Sequence, residues 1–228
     1  MYCIAIDLGG TIIKIGLVKG NEILEFSSFP AIAGSLDSNL PAMGGIINRL
    51  LSKWKVSREE LAGMGLAFPG MVNPKEKRVT STNDKYDDAC DIDLPSWVDR
   101  NWGTSFIIDN DARLALAGEW YMGAGKNSRN MVMMTIGTGI GTGVVLDGRI
   151  IKGTHYQAGS LGGHIVVDYR GRRCTCGNIG CVEAMASSFF LPEIIRTHPK
   201  ISSEYKAKAS SYDFKTLFDL MRRGEPEA

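Results

Sequence analysis

The 228-residue chain is predicted to be an α/β protein of two similar lobes, on three observations. First, the segment Ile4 to Leu24 returns as Val132 to Lys152 under a shift of 128 positions, which places Gly9 on Gly137 and Gly20 on Gly148. A repeat at that distance implies a duplicated unit. Second, each copy runs as an apolar stretch, a glycine turn, a second apolar stretch, a second turn and a third stretch, with the β-branched content of an antiparallel meander. Third, apolar residues at helical spacing follow the first copy and separate it from the second, so strands and helices alternate as in an α/β arrangement. The lobes are expected at 1–111 and 112–228, with no linker or low-complexity tract between them.

Element by element, the first meander leads to Ser38, a candidate N-cap, and Pro41 in a first helical turn. Met43, Ile46, Ile47, Leu50, Leu51 and Trp54 then share one helix face. Gly65 to Phe68 and Ser105 to Ile108 read as short buried strands, the second running into the polar turn Asp109-Asn110-Asp111. Ala112 to Met122 resumes a helical pattern. After the second meander come a glycine-rich stretch from Gly159 to Gly163, a cysteine cluster, and helix-like segments at 181–188, 190–197 and 214–223.

Composition excludes several classes of function. With 26 basic and 25 acidic residues and no run of like charge, the chain lacks the footprint of a nucleic-acid or anionic-membrane binder. Its longest uncharged stretch, 131–146, is interrupted by four glycines and is too short for a membrane span. No basic leader with an apolar segment opens the sequence, so a cytoplasmic protein with small-molecule partners is expected.

Four constellations could carry chemistry. Asp7-Leu8-Gly9-Gly10-Thr11, with Lys14 following, joins a strand-end carboxylate to a turn whose N–H groups could cradle phosphate while the aspartate holds a hydrated Mg²⁺. The alternative is a hairpin whose glycines only supply positive φ. Gly137-Thr138-Gly139, continuing to Gly143, is a second such turn, and the two together could clamp a phosphate chain. Asp111, at a strand end and a helix start, could cap the helix or accept a hydroxyl proton in phosphoryl transfer. His164, Cys174, Cys176 and Cys181 are four ligands of the types that close a tetrahedral zinc shell, the alternative being buried thiols. A closed shell is a staple for its surroundings, notably Glu183.

These residues spell a resemblance. Asp7-x-Gly9-Gly10-Thr11, Pro69-Gly70, Asn110-Asp111-Ala112, Gly137-Thr138-Gly139-x-Gly141, Gly163-His164 and Cys174-x-Cys176-Gly177-x-x-Gly180-Cys181-x-Glu183 together resemble the ROK family of sugar kinases and sugar-responsive repressors. The resemblance implies the actin-like ATPase (ribonuclease H-like) fold, two lobes around a cleft, and Mg-ATP-dependent phosphorylation of a hexose or N-acetylhexosamine. It implies Asp111 as the base, Asp7 in placing Mg-ATP, and the turns at Gly9-Gly10-Thr11 and Gly137-Thr138-Gly139 on phosphates. Sugar contacts are implied for Gly70, Asn83, Asn110, His164 and Glu183, with structural Zn²⁺ on His164 and the three clustered cysteines and a possible homodimer. Three departures accompany it. Leu161 stands where the family has a sugar-binding glutamate. Arg113 and Thr142 replace smaller residues. The sequence ends at Ala228, short of the helices and glycine-rich strand end that bind adenine in the family, so an incomplete second lobe is expected. A non-catalytic sugar-binding or regulatory protein is the alternative, and with the first lobe beginning within three residues of the start, DNA binding is not expected.

Overall fold

The computed structural model describes residues 1–82 and 85–225. Contacts divide the chain into two compact units, Met1–Asn127 with Lys152–Ala158, and Ser128–Ile151 with Gly159–Ala228.

The first unit opens with β1 (Tyr2–Leu8), β2 (Ile12–Lys19) and β3 (Glu22–Pro30), the meander read from the sequence. It continues through α1 (Leu40–Lys53), β4 (Leu61–Phe68), the short hairpin β5 (Met71–Asn73) and β6 (Arg78–Ser81), α2 (Leu94–Trp102), β7 (Ser105–Asn110) and α3 (Asp111–Met122). Five strands form one mixed sheet in the order β3-β2-β1-β4-β7, with β1, β4 and β7 parallel. Side chains alternate across a strand, so Ile4, Ile6 and Leu8 of β1 and Ile13, Ile15 and Leu17 of β2 share one face. That face is buried with Met43, Ile47 and Leu50 of α1 and Val98 of α2. The opposite face carries small residues, among them Ala5, Gly16, Gly65 and Ala67, and is an open apolar trough of about 480 Å³.

Three local expectations are corrected. Ser38 is not a helix cap: a 3-10 turn at Asp37–Asn39 intervenes and Asn39 takes the cap position. The Asn39 side chain does not cap either, since its amide is bonded to the backbone of Ile32 and Ser35 in a fully buried site. Pro41 does lie in the first turn of α1. Next, α2 was not foreseen, although Asp93 caps it by accepting the Ser96 N–H at 3.0 Å and Gly103 ends it at φ 60°. Finally, the chain divides after Asn127 rather than at 111, because α3 packs on β4 and β7 and buries Ala112, Arg113 and Leu116 there. The segment 152–158 joins this unit through a buried ion cluster. Asp109 accepts from Arg113 at 2.5 Å and from Lys152 at 2.7 Å, while Arg113 also donates to the Tyr156 carbonyl at 2.7 Å.

The second unit contains the second meander, β8 (Met131–Ile136), β9 (Ile140–Leu146) and the two-residue β10 (Arg149–Ile150), in the order β10-β9-β8. Four helices follow: α4 (Val182–Ala186), shorter than the 181–188 expected, then α5 (Leu191–Thr197), the unforeseen α6 (Ser203–Ala207) and α7 (Phe214–Arg222). Its cores are small. One is built on Cys174, Cys181, Ala184 and Phe190, another on Leu191, Ile195 and Ala209, while Val132, Met134 and Ile136 of β8 are exposed. No described helix is long and apolar enough to cross a membrane.

Candidate functional site

In the first unit, β1 delivers Asp7 to the edge of a tight turn. The Gly9 N–H donates to the Ile12 carbonyl at 3.1 Å, and a Cβ on Gly9 would stand 2.5 Å from that oxygen, so only glycine fits. Neither Gly9 nor Gly10 has positive φ, so close approach, not left-handed backbone, explains the glycine at position 9. Among the described residues, the N–H groups of Gly10 and Thr11 have no partner. The second unit repeats this arrangement. The Gly137 N–H is bonded within its turn, to Gly139 O at 3.0 Å, and Thr138 and Gly139 carry the unpartnered N–H groups. Under the shift of 128 these are the positions of Gly10 and Thr11, so each turn carries a pair of unpartnered donors at equivalent positions, the feature an anion nest requires.

Lys14, expected beside the phosphates, lies opposite Asp7 in the β1–β2 register and pairs with it at 3.1 Å. Both side chains are about half exposed, so the pair contributes little to stability, and its consequence is that Asp7 and Lys14 screen each other.

The capping role that the sequence left open for Asp111 is taken by its neighbour. Asn110 is the cap of α3, its side-chain oxygen accepting the Arg113 N–H at 3.1 Å. Its amide donates to the Gly70 carbonyl at 3.1 Å and to Asp111 Oδ1 at 3.0 Å. Asp111 Oδ1 also accepts the Ala112 N–H at 2.8 Å, while Oδ2 has no hydrogen-bond partner among the described residues. Burial raises the Asp111 pKa above the ordinary value and the Asp7 charge adds to this, against lowering by the Ala112 N–H and by Lys85. The outcome is a fixed carboxyl group of raised basicity with one oxygen available. Gly70 admits no side chain, because a Cβ would stand 2.3 Å from the Ser81 carbonyl. Asn83 lies outside the described residues.

Two residues here escaped sequence reasoning. Tyr86, fully buried, donates its hydroxyl to the Gly9 carbonyl at 2.7 Å, and the Lys85 side chain lies against Gly10, its Cδ 3.4 Å from where a Cβ would be. No local pattern marks an aromatic residue more than seventy positions away as the support of the first turn. Tyr86→Phe is expected to lower stability by about 1 kcal/mol, the net worth of one hydrogen bond, and to speed exchange of the Gly9 amide, the one bonded within the turn. Unchanged exchange in that turn would remove the supporting role.

In the second unit His164 comes from a 3-10 turn at Gly162–His164, and Cys181 stands at the N-cap of α4. The loop between them is tightened by Gly177 at φ 91°, whose N–H donates to the Cys174 carbonyl at 3.0 Å, and by Gly180 at φ 73°. A Cβ on Gly180 would come within 1.5 Å of the Asp168 carbonyl. Thr142 is buried and both donates to the Gly159 carbonyl and accepts the Gly162 N–H, so it pins the approach to His164. Leu161, next in line, is partly exposed.

These loops bring His164, Cys174, Cys176 and Cys181 together, their ligand atoms all within 4.8 Å of one another. The Cys174 Sγ to His164 Nδ1 and Cys176 Sγ to Cys181 Sγ separations are both 3.7 Å. A tetrahedral zinc with Zn–S bonds of about 2.3 Å needs edges of about 3.8 Å, so the residues fit that ion. Burial and the neighbouring thiols push the Cys181 thiol up to about 12, and a bound cation would favour its thiolate. Glu183, in the first turn of α4, accepts the Ile140 N–H at 2.9 Å. His164 turns Nδ1 toward Cys174, so of the residues expected on sugar in this unit, both sit at the metal cluster or beside it.

Comparison with known proteins identifies relatives of this arrangement. A family model described as the ROK family matches residues 3–228. The xylose repressor of Bacillus spizizenii is 31% identical over 206 residues, covering 87% of this chain and 51% of the repressor. The glucokinase of Halalkalibacterium halodurans is 32% identical over 192 residues, covering 82% of this chain and 57% of that enzyme. Among solved structures, the ROK hexokinase of Thermus thermophilus superposes with a TM-score of 0.71 at 26% identity, covering 99% of this chain and 70% of its own. The chain thus spans a little over half the length of these two curated relatives, and its fold is the actin-like ATPase fold of its structural neighbours.

Proposed function

Because the chain belongs to the ROK family, we propose that it transfers the γ-phosphoryl group of Mg-ATP to a hydroxyl of a hexose or N-acetylhexosamine. The observation that supports this most is the Asp111 carboxyl group, half-buried, raised in pKa and held on one oxygen by Asn110 and Ala112. In this reading a sugar hydroxyl donates its proton to Asp111 Oδ2 as its oxygen bonds to the γ-phosphorus. The bond from phosphorus to the β-phosphate oxygen breaks and ADP leaves with the electron pair. Asn110 fixes the base, which positions the attacking oxygen. The unpartnered N–H groups of Gly10, Thr11, Thr138 and Gly139 are assigned to phosphate oxygens, and Asp7 to the hydration shell of Mg²⁺, which neutralises developing charge on the phosphates. Gly70, Asn83, Asn110, His164 and Glu183 are assigned to the sugar. His164, Cys174, Cys176 and Cys181 would hold zinc as a structural ion, which would supply a rigid frame and leave no position open for chemistry.

The test is an ADP-release assay over a panel of hexoses and N-acetylhexosamines. Sugar-dependent release is the expected result, and a folded protein that releases none with any sugar would overturn the reading. A second reading, a sugar-binding regulator without turnover, is favoured by the repressor relative and by Leu161 at a position where the family resemblance places a glutamate. Calorimetry separates the two, since tight sugar binding with no nucleotide affinity selects the regulator.

A further inference from the structure

Glu183 touches two features that nothing in the local sequence connects. Its Oε2 accepts the Ile140 N–H at 2.9 Å, at the end of the glycine turn 137–139. Its Oε1 is 3.5 Å from the Thr175 hydroxyl and 3.9 Å from Cys174 Sγ, within the loop that carries two of the metal ligands. The backbone confirms how tightly the carboxylate is seated. A Cβ on Gly139 would lie 2.7 Å from Oε2, so glycine at 139 is what admits the Glu183 side chain to the turn. A second tie runs from the end of α4, where the Ser188 N–H donates to the Gly137 carbonyl at 2.8 Å. Cys181, a metal ligand, directly precedes α4, and Glu183 sits in its first turn.

We propose that Glu183 is a positioning residue that transmits metal binding to the second glycine turn. The metal fixes Cys174 and Cys181, these fix the start of α4, and the Glu183 carboxylate then holds Ile140 and with it the direction of the Thr138 and Gly139 N–H groups. Only the consequence for nucleotide affinity rests on the kinase reading above. The geometric link does not need it, and it is distinct from any contact that Glu183 makes with sugar, because the bond to Ile140 needs an acceptor oxygen and not a negative charge.

That difference gives the test. Amide hydrogen exchange at Ile140 is measured in the zinc-loaded protein, after zinc removal by EDTA, and in three variants, with the Val144 and Val145 amides of β9 as internal controls. Zinc removal, Glu183→Ala and Gly139→Ala are expected to speed exchange at Ile140 by at least about tenfold relative to the Val144 and Val145 controls, the loss of one hydrogen bond to a charged acceptor; normalising to these controls removes any general loosening of the second unit. Glu183→Gln retains an acceptor oxygen and is expected to keep the protection. Calorimetry with AMPPNP, without sugar, is expected to show the same order, with affinity lowered roughly fivefold or more wherever protection is lost. Wild-type exchange in Glu183→Ala, or in the zinc-free protein, would overturn the inference, as would loss of protection in Glu183→Gln. A wild-type protein that binds no AMPPNP overturns the kinase reading instead, and the exchange comparison still decides the link.

Discussion

Asp111→Asn is expected to lower turnover by roughly two to four orders of magnitude, the usual worth of a positioned general base, while sugar affinity measured by calorimetry stays within a few-fold. The asparagine keeps the shape of the side chain and an acceptor for the Ala112 N–H, so α3 and the Asn110 contact to Gly70 remain. Only the capacity to take a proton is lost, and only the transfer step needs it. The same substitution has an expected effect on stability that a merely structural aspartate would not give. Burial, with the Asp7 charge, raises the folded-state pKa of Asp111 above 3.8, the ordinary value. The unfolded chain therefore ionises this group more readily than the folded one. The resulting cost to folding is absent below the ordinary value, grows as pH rises through the window between the ordinary and the raised pKa, and is complete above it. The variant should melt at a higher temperature than the wild type at neutral pH, and the difference should vanish in acid, where both side chains are neutral. The acid limb of kcat/KM in the wild type should likewise lie above 3.8, the ordinary value for an aspartate. A variant that loses sugar binding and melts lower at neutral pH would make Asp111 a structural residue.

How much of this was legible in the sequence follows from the range of each interaction. The meanders and their glycine turns are local, and the alternation of Ile4, Ile6 and Leu8 against Ile13, Ile15 and Leu17 is enough to write β1, β2 and the buried face. The metal cluster is nearly as local, since its three cysteines lie within eight positions and its glycines supply the tight turns. The helix α2 is also marked in the sequence, by Asp93, Pro95 and Gly103, although its apolar face is short. Other features are not in any window of the sequence. The support of Gly9 by Tyr86, the burial of Arg113 against Asp109 and Lys152, and the seat of Glu183 on Ile140 each join residues that only the fold brings together. Arg113 shows the point best. As a motif position it reads as a departure, yet in the structure it is 2% exposed and ties the returning segment at Tyr156 to the first unit, so the change in side chain has a packing reason that a motif comparison cannot show.

The second large effect is expected on removing the metal. The two units differ greatly in what holds them: the first has one continuous core on both sides of which α1, α2 and the sheet interlock, while the second has two small clusters, one of which includes Cys174 and Cys181 themselves. A fold with so little apolar burial depends on a staple, and a structural zinc supplies binding energy directly as folding energy. EDTA treatment of the zinc-loaded protein should therefore lower the melting temperature of the second unit by on the order of ten degrees or more and leave the transition of the first unit where it was, giving two resolved transitions in calorimetry. Cys176→Ser separates ligation from packing, because Cys176 is exposed and buries nothing that serine would expose, whereas Cys181 is also part of the core. If the four side chains form a metal staple, Cys176→Ser reproduces the effect of EDTA and becomes insensitive to it. If they are simply packed thiols, the variant melts like the wild type, EDTA changes neither, and the zinc assignment fails together with the link from the metal to the glycine turn.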